Sequence, residues 1–190
     1  MTDYFALLEQ PRLPWLDPAA LKEIFHRKTL EQHPDAIGSG SESSFAELNE
    51  AFQVLQDPKR RLHHLLTLEG CAPAANQRVP LDLQELFLGL GALTQRTDLL
   101  MEKRRTSTNA LSKSLLKPET IALQNELQAW REQIRALLEA ATAELRERNS
   151  TWSSNRQEAI IPLSDLYLKF AYLGRWSQQL DETAFQLTTL

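Results

Sequence analysis

Cysteine is almost missing from the sequence, since Cys71 is the only one among 190 residues. A single cysteine excludes an intramolecular disulfide and a zinc site built from several cysteines. Apolar runs are short as well, and none approaches the roughly 18 to 20 residues that a membrane-spanning helix needs. The opening residues have neither the basic segment of a secretory signal nor the composition of a transit peptide. We therefore expect a cytoplasmic protein with no metal, no cofactor and no membrane partner.

The sequence also contains fewer basic residues than acidic ones. The net charge is −4, residues 1–70 carry all of this negative excess, and the remainder is neutral. Neither part has the surplus of Lys and Arg that binding to nucleic-acid phosphates requires, so we expect no nucleic-acid partner. Paired carboxylates, a Ser/His/Asp set and a glycine-rich phosphate loop are missing too. The sequence therefore does not predict an enzyme.

Helix patterns fill the N-terminal part of the chain, whereas strand signals are almost absent. A short helix is predicted over residues 3–9. Asp17-Pro18 is typical of a helix start, and the helix that follows should end at Pro34, because a residue before proline avoids the α region. Residues 36–44 are rich in glycine and serine, which indicates a loop.

Two more helices complete this part. Phe45, Leu48, Phe52 and Leu55 follow a heptad spacing, and Asp57-Pro58 then repeats the helix-start signature. Gly70 is expected to end the last of these helices. Residues 71–81 have no periodicity and are interpreted as a linker between a domain over 1–70 and a domain over 82–190.

The C-terminal part predicts three longer amphipathic helices in an antiparallel bundle. The first runs from about residue 82 to residue 103, and the Ser/Thr-rich residues 104–117 are expected to be a loop. The second helix begins at Pro118, and the third contains the apolar positions between Leu163 and Leu180. The predicted fold is therefore all-α throughout.

His33-Pro34-Asp35 lies between the two best-defined N-terminal helices. Together with the block NEAFQVLQDPKR from Asn49 to Arg60, it resembles the J-domain pattern of DnaJ-like co-chaperones. The segments DYFALL (residues 3–8) and RLHHLLTLEG (residues 61–70) are similar to HscB, the co-chaperone of iron–sulfur cluster assembly. The resemblance implies an N-terminal J domain, an antiparallel helical hairpin with two short helices, followed by a C-terminal three-helix bundle that binds a client.

The resemblance implies that this tripeptide stimulates the ATPase of a DnaK- or HscA-type chaperone. Proline stiffens the loop, while His33 and Asp35 offer a donor or acceptor and a negative charge. Cations on the preceding helix would steer it toward an acidic groove. Glu31 and Gln32 depart from the family's basic and aromatic residues just before the histidine. The candidate steering residues are Lys22, His26, Arg27 and Lys28.

The resemblance also implies a client surface on the first and last bundle helices, which in HscB-like proteins holds an iron–sulfur scaffold protein. The corresponding apolar positions are Leu86, Phe87, Leu90 and Tyr172. Gly91 and Thr94 stand where the family has glutamates. For Leu86, Phe87 and Leu90, plain bundle core is the alternative interpretation.

Three functional hypotheses stay open at this point. The protein is an HscB-like co-chaperone that presents an iron–sulfur scaffold, or a J-domain protein with a different client. The third possibility is a helical adaptor that binds the chaperone without stimulating it, because Glu31 and Gln32 weaken the docking face.

Overall fold

The computed structural model describes residues 2–31, 42–73 and 79–189, without the side chains of residues 42, 43 and 189. Within these ranges all regular secondary structure is helical, which confirms the predicted all-α class. The α-helices are α1 (Tyr4–Leu7), α2 (Pro18–Glu31), α3 (Glu42–Gln56), α4 (Pro58–Leu68), α5 (Gln84–Thr106), α6 (Ala110–Leu115), α7 (Lys117–Ser154) and α8 (Arg156–Thr189), and a 3-10 turn at Leu81–Leu83 precedes α5.

The ends of the N-terminal helices follow from local capping chemistry. Asp57 is the N-cap of α4, since its side chain accepts a 2.7 Å hydrogen bond from the Arg60 N–H, with Pro58 in the first turn. At the other end, Gly70 adopts a left-handed φ of 75°. The Cys71 N–H reaches back to the Leu66 carbonyl at 2.8 Å, which completes a Schellman motif. Both predicted boundaries of this helix are confirmed.

The chain divides into two compact units that are interleaved along the sequence. The first unit combines Met1–Gln77 with Ala141–Leu168, and the second combines Arg78–Ala140 with Lys169–Leu190. Compactness therefore groups the residues differently from the predicted domains 1–70 and 82–190. Those domain bounds, with the linker at 71–81, stay a prediction.

In the first unit, the end of α7 closes over the segment between α1 and α2. The amide of Asn149 pairs with the backbone of Trp15 in both directions, at 2.9 Å for each hydrogen bond. The Trp152 indole N–H donates to the Arg12 carbonyl at 2.7 Å. Arg146 lies over the Trp15 ring at 4.7 Å from its centroid. Because Trp152 is fully buried, it belongs to the core of this unit.

The second unit buries apolar residues of α5, α7 and α8 in a common core. Gly89 allows the Trp130 side chain of α7 to pack closely on α5, because an added Cβ would lie 2.6 Å from the Trp130 ring. An ion pair at 2.6 Å between Arg131 and Asp181 joins α7 to α8 at the surface. The core residues include Leu86, Leu90, Leu93, Leu100, Leu123, Leu127, Ile134, Leu173, Trp176 and Leu180.

The predicted loop over residues 104–117 is wrong for most of its length. Helix α5 continues to Thr106, and α6 occupies Ala110–Leu115. A cap explains the second helix, because Asn109 accepts a 2.7 Å hydrogen bond from the Ser112 N–H. Leu116 then packs against the core of the second unit. The Ser/Thr-rich composition favours a loop, whereas the Asn109 cap and the packing of Leu116 on the core stabilise a helix.

Candidate chaperone-docking face and client surface

Helix α2 has one side packed on α3 and one side exposed. Phe25 stacks on Phe52 of α3 with ring centroids 4.2 Å apart, and Leu21 is fully buried. The opposite side presents Lys22, His26 and Leu30, spaced four residues apart, to solvent. The sequence pattern identified the two basic members of this stripe but missed Leu30, whose exposure depends on where α3 lies.

The other two candidate cations are already engaged by Glu9, from the end of α1. Arg27 lies 2.6 Å and Lys28 2.8 Å from its carboxylate, and Lys28 keeps only 17% of its side chain exposed. The hydrogen bond and charge of Lys28 lower the pKa of Glu9. Arg27 also lies 3.9 Å from Glu31, one turn further along α2. Among the described residues, Lys22 has no such ion pair, so it carries the available positive charge.

His33, Pro34 and Asp35 lie outside the described residues, as does Gln32. The described chain stops at the end of α2 and resumes at the start of α3. Helices α2 and α3 therefore bracket the tripeptide, as the sequence pattern predicted. Its role in chaperone docking stays a prediction.

In the first unit, α4 contributes a buried histidine that packs on α1. His64 Nε2 accepts a 3.2 Å hydrogen bond from the Tyr4 N–H, and its ring stacks on Tyr4 and Phe5 with centroids at 4.6 and 5.7 Å. Burial lowers the pKa of His64 despite the nearby carboxylate of Asp3. The neighbouring His63 is exposed, with its ring 5.8 Å from Tyr167. The two histidines thus have structural surroundings and do not form a ligand pair.

Acidification should destabilise the first unit through His64. Because its pKa is lower in the folded chain, the unfolded chain binds the proton first as the pH falls. The stabilisation is complete above the ordinary histidine pKa of 6.5 and is lost as the pH drops below it. Urea unfolding between pH 8 and pH 5 should therefore give a falling free energy of unfolding, about 1.4 kcal/mol for each unit of pKa difference.

The matched variants are His64→Phe, which keeps an aromatic ring without a titrating group, and His63→Gln. We expect His64→Phe to flatten the pH dependence between pH 6.5 and pH 5, and His63→Gln to retain most of it, because burial lowers the pKa of His64 more than the charge of His63 does. Carboxylates titrate near pH 4 and do not interfere in this window. An unchanged slope in His64→Phe would contradict the assignment.

The four candidate client residues have different surroundings in the second unit. Leu86 and Leu90 are buried, with 8% and 6% of their surface exposed, whereas Phe87 is 52% exposed. Tyr172 is half-buried, and both Phe87 and Tyr172 have ring centroids within 6.4 Å of the buried Trp176. Phe87 and Tyr172 therefore border one aromatic surface, and Leu86 and Leu90 form part of the core beneath it.

Neutral residues stand at two positions where the family has acids, and the cation of Arg175 lies over the Tyr172 ring, 5.8 Å from its centroid. Thr94 accepts a 3.1 Å hydrogen bond from the Gln179 amide and donates to the Leu90 carbonyl at 2.9 Å. Gly91 has open space around it. Leu88, next to Phe87, is highly exposed and was missed by the sequence pattern because it falls outside the apolar stripe.

The described ranges 2–31, 42–73 and 79–189 contain no group of three or more His, Cys, Asp and Glu residues arranged to hold a metal ion. In the same ranges, every helix is too short or too polar to cross a bilayer.

Comparison with known proteins agrees with the local geometry. The DnaJ domain model matches residues 3–64. The chaperone protein DnaJ 1 of Cutibacterium acnes is 44% identical over 41 residues, and DnaJ of Caulobacter vibrioides is 40% identical over 63 residues. These matches cover 22% and 32% of the chain but only 10% and 16% of the two relatives.

Two solved structures have the fold of the whole chain. Chaperone HscB from Vibrio cholerae superimposes with a TM-score of 0.57 and 19% identity, covering 98% of this chain and 99% of its own. Human co-chaperone protein HscB gives a TM-score of 0.52 with 16% identity, covering 95% of this chain and 81% of its own. At this identity the likeness concerns the fold.

The N-terminal segment, residues 3–64, is therefore a J domain of the DnaJ family. The particular architecture is that of the HscB proteins, with a helical region after the J domain. The predicted family resemblance and fold class are both confirmed.

Proposed function

We propose that this J-domain protein is a co-chaperone that stimulates the ATPase of a DnaK- or HscA-type chaperone. The observation that carries the proposal is the J domain itself, with the exposed stripe of Lys22, His26 and Leu30 leading along α2 toward the His33-Pro34-Asp35 segment. Such a protein does no covalent chemistry. It binds one conformation of the ATPase better than another and thereby shifts the population toward hydrolysis.

Docking would combine a small positive charge with an apolar contact. Lys22 and His26 steer association toward an acidic groove, and Leu30 adds apolar surface close to the tripeptide. Glu9 and Glu31 neutralise part of the field of Arg27 and Lys28. We therefore propose a weakly electrostatic interaction, tuned to one chaperone paralogue.

Replacing the histidine of the tripeptide should abolish stimulation. In a single-turnover ATPase assay with a purified DnaK- or HscA-type chaperone, wild type is expected to accelerate hydrolysis, and His33→Gln is expected to leave the basal rate. The physical reason is that the protein loses a side chain that distinguishes the two ATPase conformations. Circular dichroism checks that the helical content is unchanged.

His63→Gln is the matched control, since it makes the same exchange on the exposed side of α4. It should stimulate like wild type. Equal rates for wild type and His33→Gln, with chaperone binding retained, would favour the non-stimulating adaptor. The charges of Glu9 and Glu31 on the docking face are the observation that keeps this second candidate open.

The client surface is proposed to be the aromatic surface around Phe87 and Tyr172, with exposed Leu88 beside it. Its resemblance to the HscB layout makes an iron–sulfur scaffold protein the proposed client, and another client with an apolar binding segment is the alternative. Gly91 and Thr94 stand where that family has acidic residues, so these two positions carry no charge. A client held here would therefore be recognised through apolar contact more than through charge.

Two neighbouring substitutions separate client binding from core packing. Phe87→Ser should weaken binding of a purified iron–sulfur scaffold protein by roughly tenfold or more, measured by fluorescence anisotropy, because an exposed aromatic anchor is removed. Leu86→Ala should instead lower the free energy of unfolding by about 2–5 kcal/mol, because it leaves a cavity in the core.

Ile161→Ser, an exposed apolar position in the first unit, is the matched control and should leave both quantities unchanged. If Phe87→Ser left scaffold binding intact while the chaperone assay still responded to His33→Gln, the client assignment alone would fail.

A further inference from the structure

The connection between α5 and α7, taken with the last turn of α5 and the first residues of α7, is a basic segment in an acidic chain. Residues 103–118 carry five Lys or Arg and no Asp or Glu, whereas the whole chain has a net charge of −4. Four of these cations lie close together. One cavity of about 570 Å³ in the second unit is lined by four of these cations and two carboxylates, with apolar Met101 and Ile121: Arg104, Arg105, Lys113, Lys117, Asp98 and Glu102.

Acidic neighbours neutralise only part of this charge. Arg105 pairs with Glu102 at 2.8 Å, and Lys103 pairs with Glu119 at 3.0 Å, both at the exposed surface. Exposed pairs of this kind contribute little and exchange readily. Lys113 and Lys117 are exposed and, within the described residues, form no ion pair.

The same segment exposes leucines that the core does not use. Leu111 and Leu115 are 72% and 73% exposed and lie four residues apart, on one side of α6. Their position is fixed by the Asn109 cap and by the anchoring of Leu116 on the core. An ordered helix that presents two leucines outward beside a group of cations is amphipathic in the way that favours a lipid–water interface.

We propose that the connection between α5 and α7 docks on a bilayer surface that carries anionic phospholipid. Leu111 and Leu115 enter the headgroup region, while Lys113, Lys117 and the cations at the end of α5 contact the lipid phosphates. Charge complementarity selects this occupant, since clusters of four to eight basic residues on amphipathic helices bind acidic leaflets. A nucleic acid would contact the cations through its phosphates, but it would leave the exposed leucines without an apolar partner. This contact departs from the predicted absence of a membrane partner, which rested on the lack of a spanning segment.

Vesicle sedimentation with the full-length chain tests the proposal. Wild type should sediment with vesicles of equal parts phosphatidylglycerol and phosphatidylcholine, but not with pure phosphatidylcholine, and high salt should release it. Lys113→Gln with Lys117→Gln should weaken partition roughly thirtyfold, at about 1 kcal/mol for each cation. Leu111→Ser with Leu115→Ser should weaken it roughly tenfold or more.

The matched controls are Leu81→Ser with Leu88→Ser, two exposed leucines at the other end of α5, and Arg135→Gln, an exposed cation of α7. Both should sediment like wild type, and circular dichroism should give equal helicity for all variants. Failure of wild type to sediment with the anionic vesicles overturns the proposal. So does equal binding to phosphatidylcholine, or tighter binding to a short DNA duplex than to vesicles.

Discussion

Trp152→Ala should lower the free energy of unfolding by about 3–5 kcal/mol, one of the two largest effects expected in this chain. The indole is buried to 1% exposure, and its N–H satisfies the Arg12 carbonyl. Truncation to alanine therefore leaves a large cavity and removes the donor of a backbone acceptor in the same step. Urea unfolding monitored by circular dichroism measures the loss.

Trp152→Phe is the milder variant, because it keeps one six-membered aromatic ring and removes the N–H with the rest of the indole. We expect it to cost about 1–3 kcal/mol, from the smaller cavity and from the Arg12 carbonyl left without its donor. Hydrogen exchange should localise the effect of either substitution to the segment between α1 and α2. A loss below about 1 kcal/mol for Trp152→Ala would contradict the packing of the α7 end in the first unit.

Arg61→Met should lower the free energy of unfolding by about 2–4 kcal/mol. Arg61 is 3% exposed, and its guanidinium donates to the carbonyls of Pro14, at 2.7 Å, and Leu55. Burial lowers its pKa to about 10, so the group stays charged at neutral pH. Methionine fills a similar volume but leaves two buried acceptors without donors, each at about 1–3 kcal/mol, partly offset by the relief of burying a charge.

Arg61→Lys and Arg60→Met are the controls for this prediction. Lysine keeps the charge but lacks the planar fork that reaches two carbonyls at once, so it should give an intermediate loss. Arg60 forms a surface ion pair with Glu50, and its replacement should cost no more than about 1 kcal/mol. The idea that Arg61 joins α3, α4 and the segment before α2 would be wrong if Arg61→Met and Arg60→Met had the same stability.

Trp152 and Arg61 both contact the segment between α1 and α2 in the first unit. Both donate to carbonyls in the segment between α1 and α2, from α7 and α4 respectively. That segment leads directly into α2, whose exposed stripe is the proposed docking face. Residues 141–168, far along the chain, are therefore part of the same compact unit as the J domain.

The sequence by itself determined the helical class, the J-domain resemblance and several helix ends. Local signals suffice for these, because a cap such as Asp57-Pro58 or Gly70 acts within a few residues of itself. The wrong prediction of a loop over residues 104–117 has the same origin. The Ser/Thr content of this segment favours a loop, and the local signal for a helix was a single cap residue, Asn109.

Only the tertiary structure decided which candidate residues are available to a partner. Leu86 and Phe87 are adjacent and equally apolar, yet Leu86 is buried and Phe87 is half exposed, because only one side of α5 faces the core that it shares with α7 and α8. Arg27 and Lys28 have the same sequence signal as Lys22, but Glu9, in the turn after α1, pairs with both of them. Long-range packing fixes such differences, and helical periodicity carries no information about which distant residue will lie opposite.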